Sequence, residues 1–319
     1  MRIGLFLLGF ILVAPWHAYV SGTSNALGGT SGQDSPYRLT VPVNEVSITF
    51  HASDYRGSAI GNLTQGDLRL LDNGQPQNKL LSLESYQNLS IRAGFLFDTS
   101  GSMLDDLDHN ASIANLYATH LLKPGADKAF VVGFNTETTV TQDWTDSPDA
   151  IAQGIQSVAE RHGGENSGTA IFDSLYKTCR DRWNIDRGAV TGNFILLFTD
   201  GIDNASHARI DDVIDICQRT RTAIYIFTNQ WNSRGASKGG RTLTELVTKS
   251  GGRLFLNPND DQILKDVQTI DADQRNQYRL IYRPSDLTAD GSFHRVKLRC
   301  SVRGATILAR SGYYAPGRS

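Results

Sequence analysis

Phe95-Leu-Phe-Asp-Thr-Ser-Gly-Ser-Met103 decides the fold: an apolar strand runs straight into Asp98-x-Ser100-Gly-Ser102. One carboxylate and two hydroxyls gather on a single turn. Alone, the pattern is ordinary turn chemistry, because an Asp at a strand end often caps the next helix and Ser and Gly favour turns. Two further segments change its meaning. Gly168-Thr169-Ala170 precedes an apolar helical run, and Phe198-Thr199-Asp200-Gly201 closes the strand Asn193–Phe198. Ligands of open α/β sheets bind outside the carboxyl ends of the strands, so Asp98 and Asp200 can meet despite their separation. Oxygen-only donors suit hard divalent cations, and neutral hydroxyls among them leave charge on the ion for an outside carboxylate to neutralise.

Outward from this stretch, residues 91–276 alternate strands with helices, which predicts a mostly parallel sheet covered on both faces. Continuous apolar runs mark the central strands at Ala93–Phe97, Ala129–Phe134, Phe194–Phe198 and Ala223–Phe227, and Thr138–Gln142 is expected as a short antiparallel edge. Ser147-Pro148 is a cap followed by Pro at the first helical position, and Ile151, Ile155 and Val158 recur at helical spacing. Helices are likewise expected at Thr169–Cys179, Ile210–Gln218, Leu243–Lys249 before Gly251-Gly252, and Asp260 to about Asn276.

The flanks read differently. Leu39–Val43, Val46–Phe50 and Leu68–Leu70 alternate as half-buried strands do, with turns at Tyr55-Arg-Gly57 and Asp72-Asn-Gly74. Tyr278–Tyr282, Val296–Val302 and Thr306–Leu308 alternate again, around a turn at Asp290-Gly291. Neither flank is long enough for a sandwich alone, so the two are expected to pack together, with the α/β domain inserted between them. The expected organisation is a signal peptide at 1–22, a flexible Gly/Ser/Thr-rich leader at 23–36, β-strand regions at 37–88 and 277–316, and the α/β domain at 89–276.

Asp-x-Ser-Gly-Ser, a later Thr opening a helix and a strand-terminal Thr-Asp-Gly, in this order, closely resemble a von Willebrand factor type A domain with its metal-ion-dependent adhesion site. The resemblance implies a doubly wound, Rossmann-like sheet in which Asp98, Ser100, Ser102, Thr169 and Asp200 surround one ion, usually Mg²⁺, with Mn²⁺ or Ca²⁺ as alternatives. It also implies direct coordination by the serines and an open position for an acidic residue of a partner protein. Leu63-Thr-Gln-Gly-Asp67, Leu71-Asp-Asn-Gly-Gln-Pro76, Gln277-Tyr-Arg-Leu-Ile-Tyr282 and Arg310-Ser-Gly-Tyr-Tyr314 extend the likeness. Together they resemble an exported bacterial family related to von Willebrand factor A and frequent in Acidobacteria, whose partners are largely undefined.

Composition narrows the rest. With 39% hydrophobic and 20% charged residues the chain is of ordinary globular type, and a net charge of −2 without basic runs gives no footprint for nucleic acid. Met1-Arg2, the apolar Ile3–Val13 and the small residues Ala18, Ser21 and Gly22 read as a secretory signal, too short to span a bilayer comfortably, with a buried N-terminal element or a short uncleaved anchor as the alternatives. Export to the periplasm, cell surface or medium is therefore expected, with no membrane span after cleavage. Cys179, Cys217 and Cys300 are an odd, widely spaced set; the first two fall on predicted helices, either as buried small apolar residues or as one bridge. The seven His show no metal-ligand spacing; His51, His120, His162 and His207 are scattered. No Gly-x-Ser-x-Gly elbow or phosphate-cradling lysine loop occurs, which speaks against catalysis. The expected function is a non-enzymatic, metal-dependent binding module; the alternatives are a scaffold whose ion only stabilises the fold and a metal-assisted hydrolase. Asp203, Asn204, Glu165 and Asn166 lie in loops beside the expected ligands, either as solvated loop residues or tuning the ion or its partner, and Ser233–Arg241 is expected as a rim loop or a connection. The sequons at Asn62, Asn88, Asn110 and Asn204 read as chance.

Overall fold

The computed structural model describes residues 45–160, 168–183, 189–228, 238–256 and 259–317. The signal and leader, the strand expected at Leu39–Val43, His162, Glu165, Asn166 and residues 233–237 of the expected rim loop lie outside them.

Four strands come first: β1 (Val46–Ser53), β2 (Leu68–Asp72), β3 (Gln75–Pro76) and β4 (Leu80–Tyr86). The β2–β3 hairpin turns on Asn73 and Gly74, with φ of 47° and 80°. That left-handed pair matches the twist of the flanking strands, which is why Asn-Gly stands there.

The α/β core follows. Its first half holds β5 (Ile91–Asp98), α1 (Leu107–His120), β6 (Lys128–Phe134), β7 (Thr138–Thr145), α2 (Pro148–Glu160) and α3 (Ile171–Asp181). Its second half holds β8 (Gly192–Phe198), α4 (Ile210–Arg219), β9 (Thr222–Thr228), α5 (Lys238–Ser250), β10 (Leu254–Leu256) and α6 (Asp260–Arg275). The sheet order is β10-β9-β8-β5-β6-β7, parallel throughout except for the β6–β7 edge. From β5 the chain steps to β6 on one side, and after β7 and two helices it returns to lay β8 on the other. Strand order thus reverses between β5 and β8, and a crevice forms where their carboxyl ends part.

Successive strand side chains point to opposite faces. Phe95 and Phe97 pack with Ile113 and Tyr117 of α1, Ile155 of α2 and Val267 of α6. Leu96 faces the other way, toward Leu175 of α3, Val213 of α4 and Leu246 of α5. Burial on both faces explains why these strands read as unbroken apolar runs rather than as alternation. Gly94 has its own steric cause: the Phe130 ring lies over it, and a Cβ would stand 2.4 Å from Phe130 Cζ. A Cys179–Cys217 disulfide with Cα atoms 5.1 Å apart joins α3 to α4, deciding between the two readings the spacing left open. Cys300 is a free, half-buried thiol.

At the amino ends of the strands, Arg275 closes α6 onto the core. Its Nη2 donates to Asp127 Oδ2 at 2.6 Å and to the Leu121 carbonyl at 2.9 Å, its Nη1 to the Leu89 carbonyl at 3.1 Å, and its Nε to Asp271 at 2.8 Å. Asp127 also accepts from the backbone N–H groups of Ile91 and Lys123, each at 2.8 Å.

The last strands are β11 (Gln277–Tyr282), β12 (Phe293–Cys300), β13 (Thr306–Ala309) and β14 (Gly312–Tyr314). They interleave with the first four in two antiparallel sheets, β13-β1-β11-β4 and β14-β12-β2-β3. Ile48, Phe50 and Leu280 of one sheet share a buried cluster with Leu68, Leu70 and Val296 of the other, so the flanks close on each other as a sandwich. Inside it, Asp72 accepts from the hydroxyls of Tyr282 at 2.8 Å and Tyr313 at 2.9 Å and meets His294 Nδ1 at 3.0 Å. The Asp-Asn-Gly, Tyr282 and Tyr313 segments of the sequence are thereby joined in one polar knot, its members held by each other because water cannot reach them.

Candidate metal centre

β5 delivers Asp98 to the crevice, and the residue is fully buried, at 0% exposure. Its Oδ1 accepts from the Ser100 backbone N–H at 3.0 Å, and its Oδ2 accepts from Thr199 Oγ1 at 2.6 Å. The second bond clamps the end of β5 to the end of β8. Thr99 donates through its N–H and its hydroxyl to the Phe134 carbonyl, at 2.7 and 3.1 Å, drawing the same loop onto β6. Beyond Ser100 the chain makes a 3₁₀ turn, Gly101–Asp106, that leads into α1.

The remaining groups follow as a chain of oxygens. Ser100 Oγ lies 3.5 Å from Ser102 Oγ, and Ser102 Oγ donates to Asp200 Oδ2 at 2.9 Å. Asp200 Oδ1 accepts from the Ile202 N–H at 2.9 Å. Gly201 then turns the backbone with φ of +80°, and a Cβ there would meet Leu243 Cγ at 2.6 Å and the Gly239 carbonyl at 2.7 Å. The first turn of α5 therefore sits directly against the Asp200 loop, with no side chain between them. Ser102 is exposed while Asp98, Ser100 and Asp200 are buried, which gives the group a floor and a mouth.

Thr169 stands on a third loop at the same end of the sheet. It is buried, its N–H donates to Asn204 Oδ1 at 2.8 Å, and its carbonyl accepts from the N–H groups of Asn204 and Ala205. Ala170 N donates to the Asn135 carbonyl at 2.7 Å. These bonds take the backbone out of helical pairing, so α3 begins at Ile171, two residues later than the sequence pattern suggests. The structure thus joins Asp98, Ser100, Ser102 and Asp200 through hydrogen bonds and fastens Thr169 to the Asp200 loop through Asn204.

Sequence reasoning missed Thr199, which orients Asp98, and the bonds that two loop neighbours make. Asp203 Oδ2 accepts from the Phe172 N–H and from Ser206 Oγ, and Asn204, itself exposed, holds Thr169, so both fasten loops beside the site. The available signal was residue type: Asp and Asn side chains bond nearby backbone readily in turns.

Burial pushes the Asp98 carboxyl up to about 6, and the nearby Asp200 charge acts in the same direction against the hydrogen bonds from Ser100 and Thr199. Two buried carboxylates that act on each other in this way favour a proton or a cation beside them. Each carboxylate oxygen that accepts one hydrogen bond keeps lone-pair capacity for another partner. Among the described residues no group of three or more His, Cys, Asp or Glu gathers as a metal site would. A cation here must draw on hydroxyls, and this set of oxygens fits a hard divalent ion.

Residues 94–202 match the family model of the von Willebrand factor type A domain. Over that span the α/β core is similar to a von Willebrand factor type A domain. Solved structures with similar folds include the conserved hypothetical protein BatB from Bacteroides thetaiotaomicron, 14% identical over 57% of this chain and 97% of that one, with a TM-score of 0.45. A von Willebrand factor type A protein from Catenulispora acidiphila is 15% identical over 76% and 75%, with a TM-score of 0.43. Proximal thread matrix protein 1 from the mussel byssus, solved with a zinc-occupied MIDAS motif, is 18% identical over 63% and 50%, with a TM-score of 0.47. No curated protein sequence matches the chain. The matched span of the A domain opens within β5 and closes just past Asp200, so it contains all five candidate oxygen donors. No described helix is long and apolar enough to cross a membrane.

Proposed function

We propose that the carboxyl-end crevice of this A domain holds a divalent cation, Mg²⁺ first and Mn²⁺ or Ca²⁺ as alternatives, and that it binds an acidic residue of a partner protein without catalysis. The observation that carries this reading is the hydrogen-bonded run Asp98–Ser100–Ser102–Asp200 at the point where strand order reverses. Asp98, Ser100, Ser102, Thr169 and Asp200 are the residues that would hold the ion. Bound there, the ion supplies a coordination position for a carboxylate oxygen from outside. Thr199 holds Asp98 in orientation, and Gly201 and Gly239 let α5 brace the Asp200 loop. Ile202, 51% exposed beside the mouth, offers apolar surface to the same partner.

The protein's place is outside the cytoplasm, in the periplasm, on the cell surface or in the medium. The α3–α4 disulfide supports this, since such bonds persist mainly in oxidising compartments.

Calorimetric titration of the metal-stripped protein with Mg²⁺ and Mn²⁺ tests the reading. Saturable binding should vanish in Asp98→Ala while circular dichroism shows an unchanged fold. Equal binding by that variant, or none by the parent protein, refutes the assignment.

A further inference from the structure

A cavity of about 430 Å³ opens between β1 of the sandwich, the α4–β9 turn and the β13–β14 corner, at the amino end of β9, whereas the metal centre lies at the carboxyl ends of the strands. The carboxylates on its wall are already committed. Glu45 pairs with Arg283 at 3.1 Å, Asp215 with Arg219 at 2.8 Å and Asp273 with Arg253 at 2.6 Å. Two arginines of the wall, Arg221 and Arg310, make no ion pair with any described residue.

Arg310 donates through Nη2 to the Ser47 carbonyl at 2.8 Å, while its Nε is sealed from solvent with no acceptor. Burial lowers the guanidinium to about 10, with the Arg221 charge pushing the same way, so Arg310 remains a cation at neutral pH. A half-buried cation with no ion-pair partner of its own and an incomplete set of acceptors is costly to keep, and only the field of Asp215, itself paired with Arg219, opposes that cost. Arg221 tells the same story from the backbone. It follows α4 with φ of +55°, a left-handed position at a helix end that glycine fills without strain. An arginine kept at such a place sets a second positive charge on the cavity wall at a conformational cost, the kind of outlier that marks functional sites.

We propose that this cavity binds a small organic anion, its carboxylate or phosphate oxygens held by Arg310 and Arg221 and its apolar body lying against Leu308 and Tyr314. The volume falls within the range of small-molecule sites, and paired arginines suit planar or tetrahedral oxyanions. The site lies at the seam of the sandwich and the A domain and operates independently of the metal.

The test uses the full chain in EDTA, with benzoate, phenyl phosphate, inorganic phosphate and the uncharged benzamide as probes, read by calorimetry and by thermal shift. Benzoate or phenyl phosphate should bind saturably and raise Tm, the tighter of the two identifying the head group, and benzamide should do neither. Arg310→Met should weaken that binding at least tenfold, the scale of a lost charge-assisted hydrogen bond. It should leave the ligand-free Tm unchanged or higher and the Mg²⁺ titration untouched. Arg221→Gly, which relieves the backbone, should also weaken binding without loss of Tm. Asp98→Ala should bind the probe as the parent does, so failure of the metal reading would leave this one standing. No saturable binding of either aromatic anion, equal binding of benzamide, or undiminished affinity in Arg310→Met overturns the proposal; inorganic phosphate binding as tightly as phenyl phosphate overturns its apolar half.

Discussion

Arg275→Met should cost about 3–5 kcal/mol of folding stability, the range for breaking a buried ion pair by removing one partner. The substitution keeps most of the side-chain volume and deletes every donor. Asp127, buried with no exit to water, would keep only the N–H groups of Ile91 and Lys123 as partners, and the carbonyls of Leu89 and Leu121 would lose theirs. For a compact unit running Val43–Ser319 the unfolding entropy is roughly 0.6 kcal/mol/K, so Tm should fall by about 5–9 °C. Arg275→Lys retains the charge without the fork and should fall between the two. The pH dependence adds a second reading. Burial pushes the Asp127 carboxyl up, but the bonds from Arg275 and the two backbone amides outweigh it and hold the group below its ordinary value. A carboxyl depressed in the folded state contributes stability above its unfolded pKa of about 3.9, and that contribution is lost as pH falls through the folded value. The gap between parent and Arg275→Met in urea denaturation should therefore be full at pH 7 and narrow below about pH 4. A variant within ~1 kcal/mol of the parent at pH 7, or a gap unchanged down to pH 3, would refute the argument.

Reduction of the Cys179–Cys217 bridge, or Cys179→Ala with Cys217→Ala, should cost about 4 kcal/mol on the chain-entropy model for the 38-residue separation, measurable by denaturant titration. Gly94→Ala should cost ~1–3 kcal/mol by forcing the Phe130 ring aside, and a thermal melt indistinguishable from the parent would contradict the close approach seen there. Thr199→Val removes the hydroxyl on Asp98 Oδ2 and should weaken Mg²⁺ binding in calorimetry several-fold while the far-UV spectrum is retained. Tyr313→Phe takes one donor from buried Asp72 and should lower stability by about 1.5–3 kcal/mol, with secondary structure preserved.

The parallel sheet was legible because strands buried on both faces leave continuous apolar runs, and because Ser147-Pro148 and Gly251-Gly252 punctuate helices at defined positions. Ser147 Oγ does accept from the Ala150 N–H at 3.3 Å, and Gly251 takes φ of +88°. The run Asp98–Ser102 was legible because it sits within a few residues of a strand end. Thr199 was not, because its partner is 101 positions away and nothing local distinguishes it from any strand-end threonine. The β4 strand escaped notice because Leu80 and Leu81 are adjacent and break the alternation; its pairing with β11 shifts register near that point. At three residues each, β10 and β14 are too short for a period to show. Cysteine spacing could not choose between packing and bridging, since both put Cys179 and Cys217 inside helices.

The interleaving of first and last strands bears on the order of synthesis. Among the described residues the sheet neighbours of β1 are β11 and β13, and Val46 waits for Tyr282. At about 5–20 residues per second that interval is on the order of ten to fifty seconds. Throughout it, Val46, Ile48 and Phe50 form a strand with both edges unpaired, while the A domain, whose pairings all lie between β5 and β10, can already close on itself. The sandwich is thus the last part of the molecule to assemble, and the nascent β1 is the segment most in need of a chaperone.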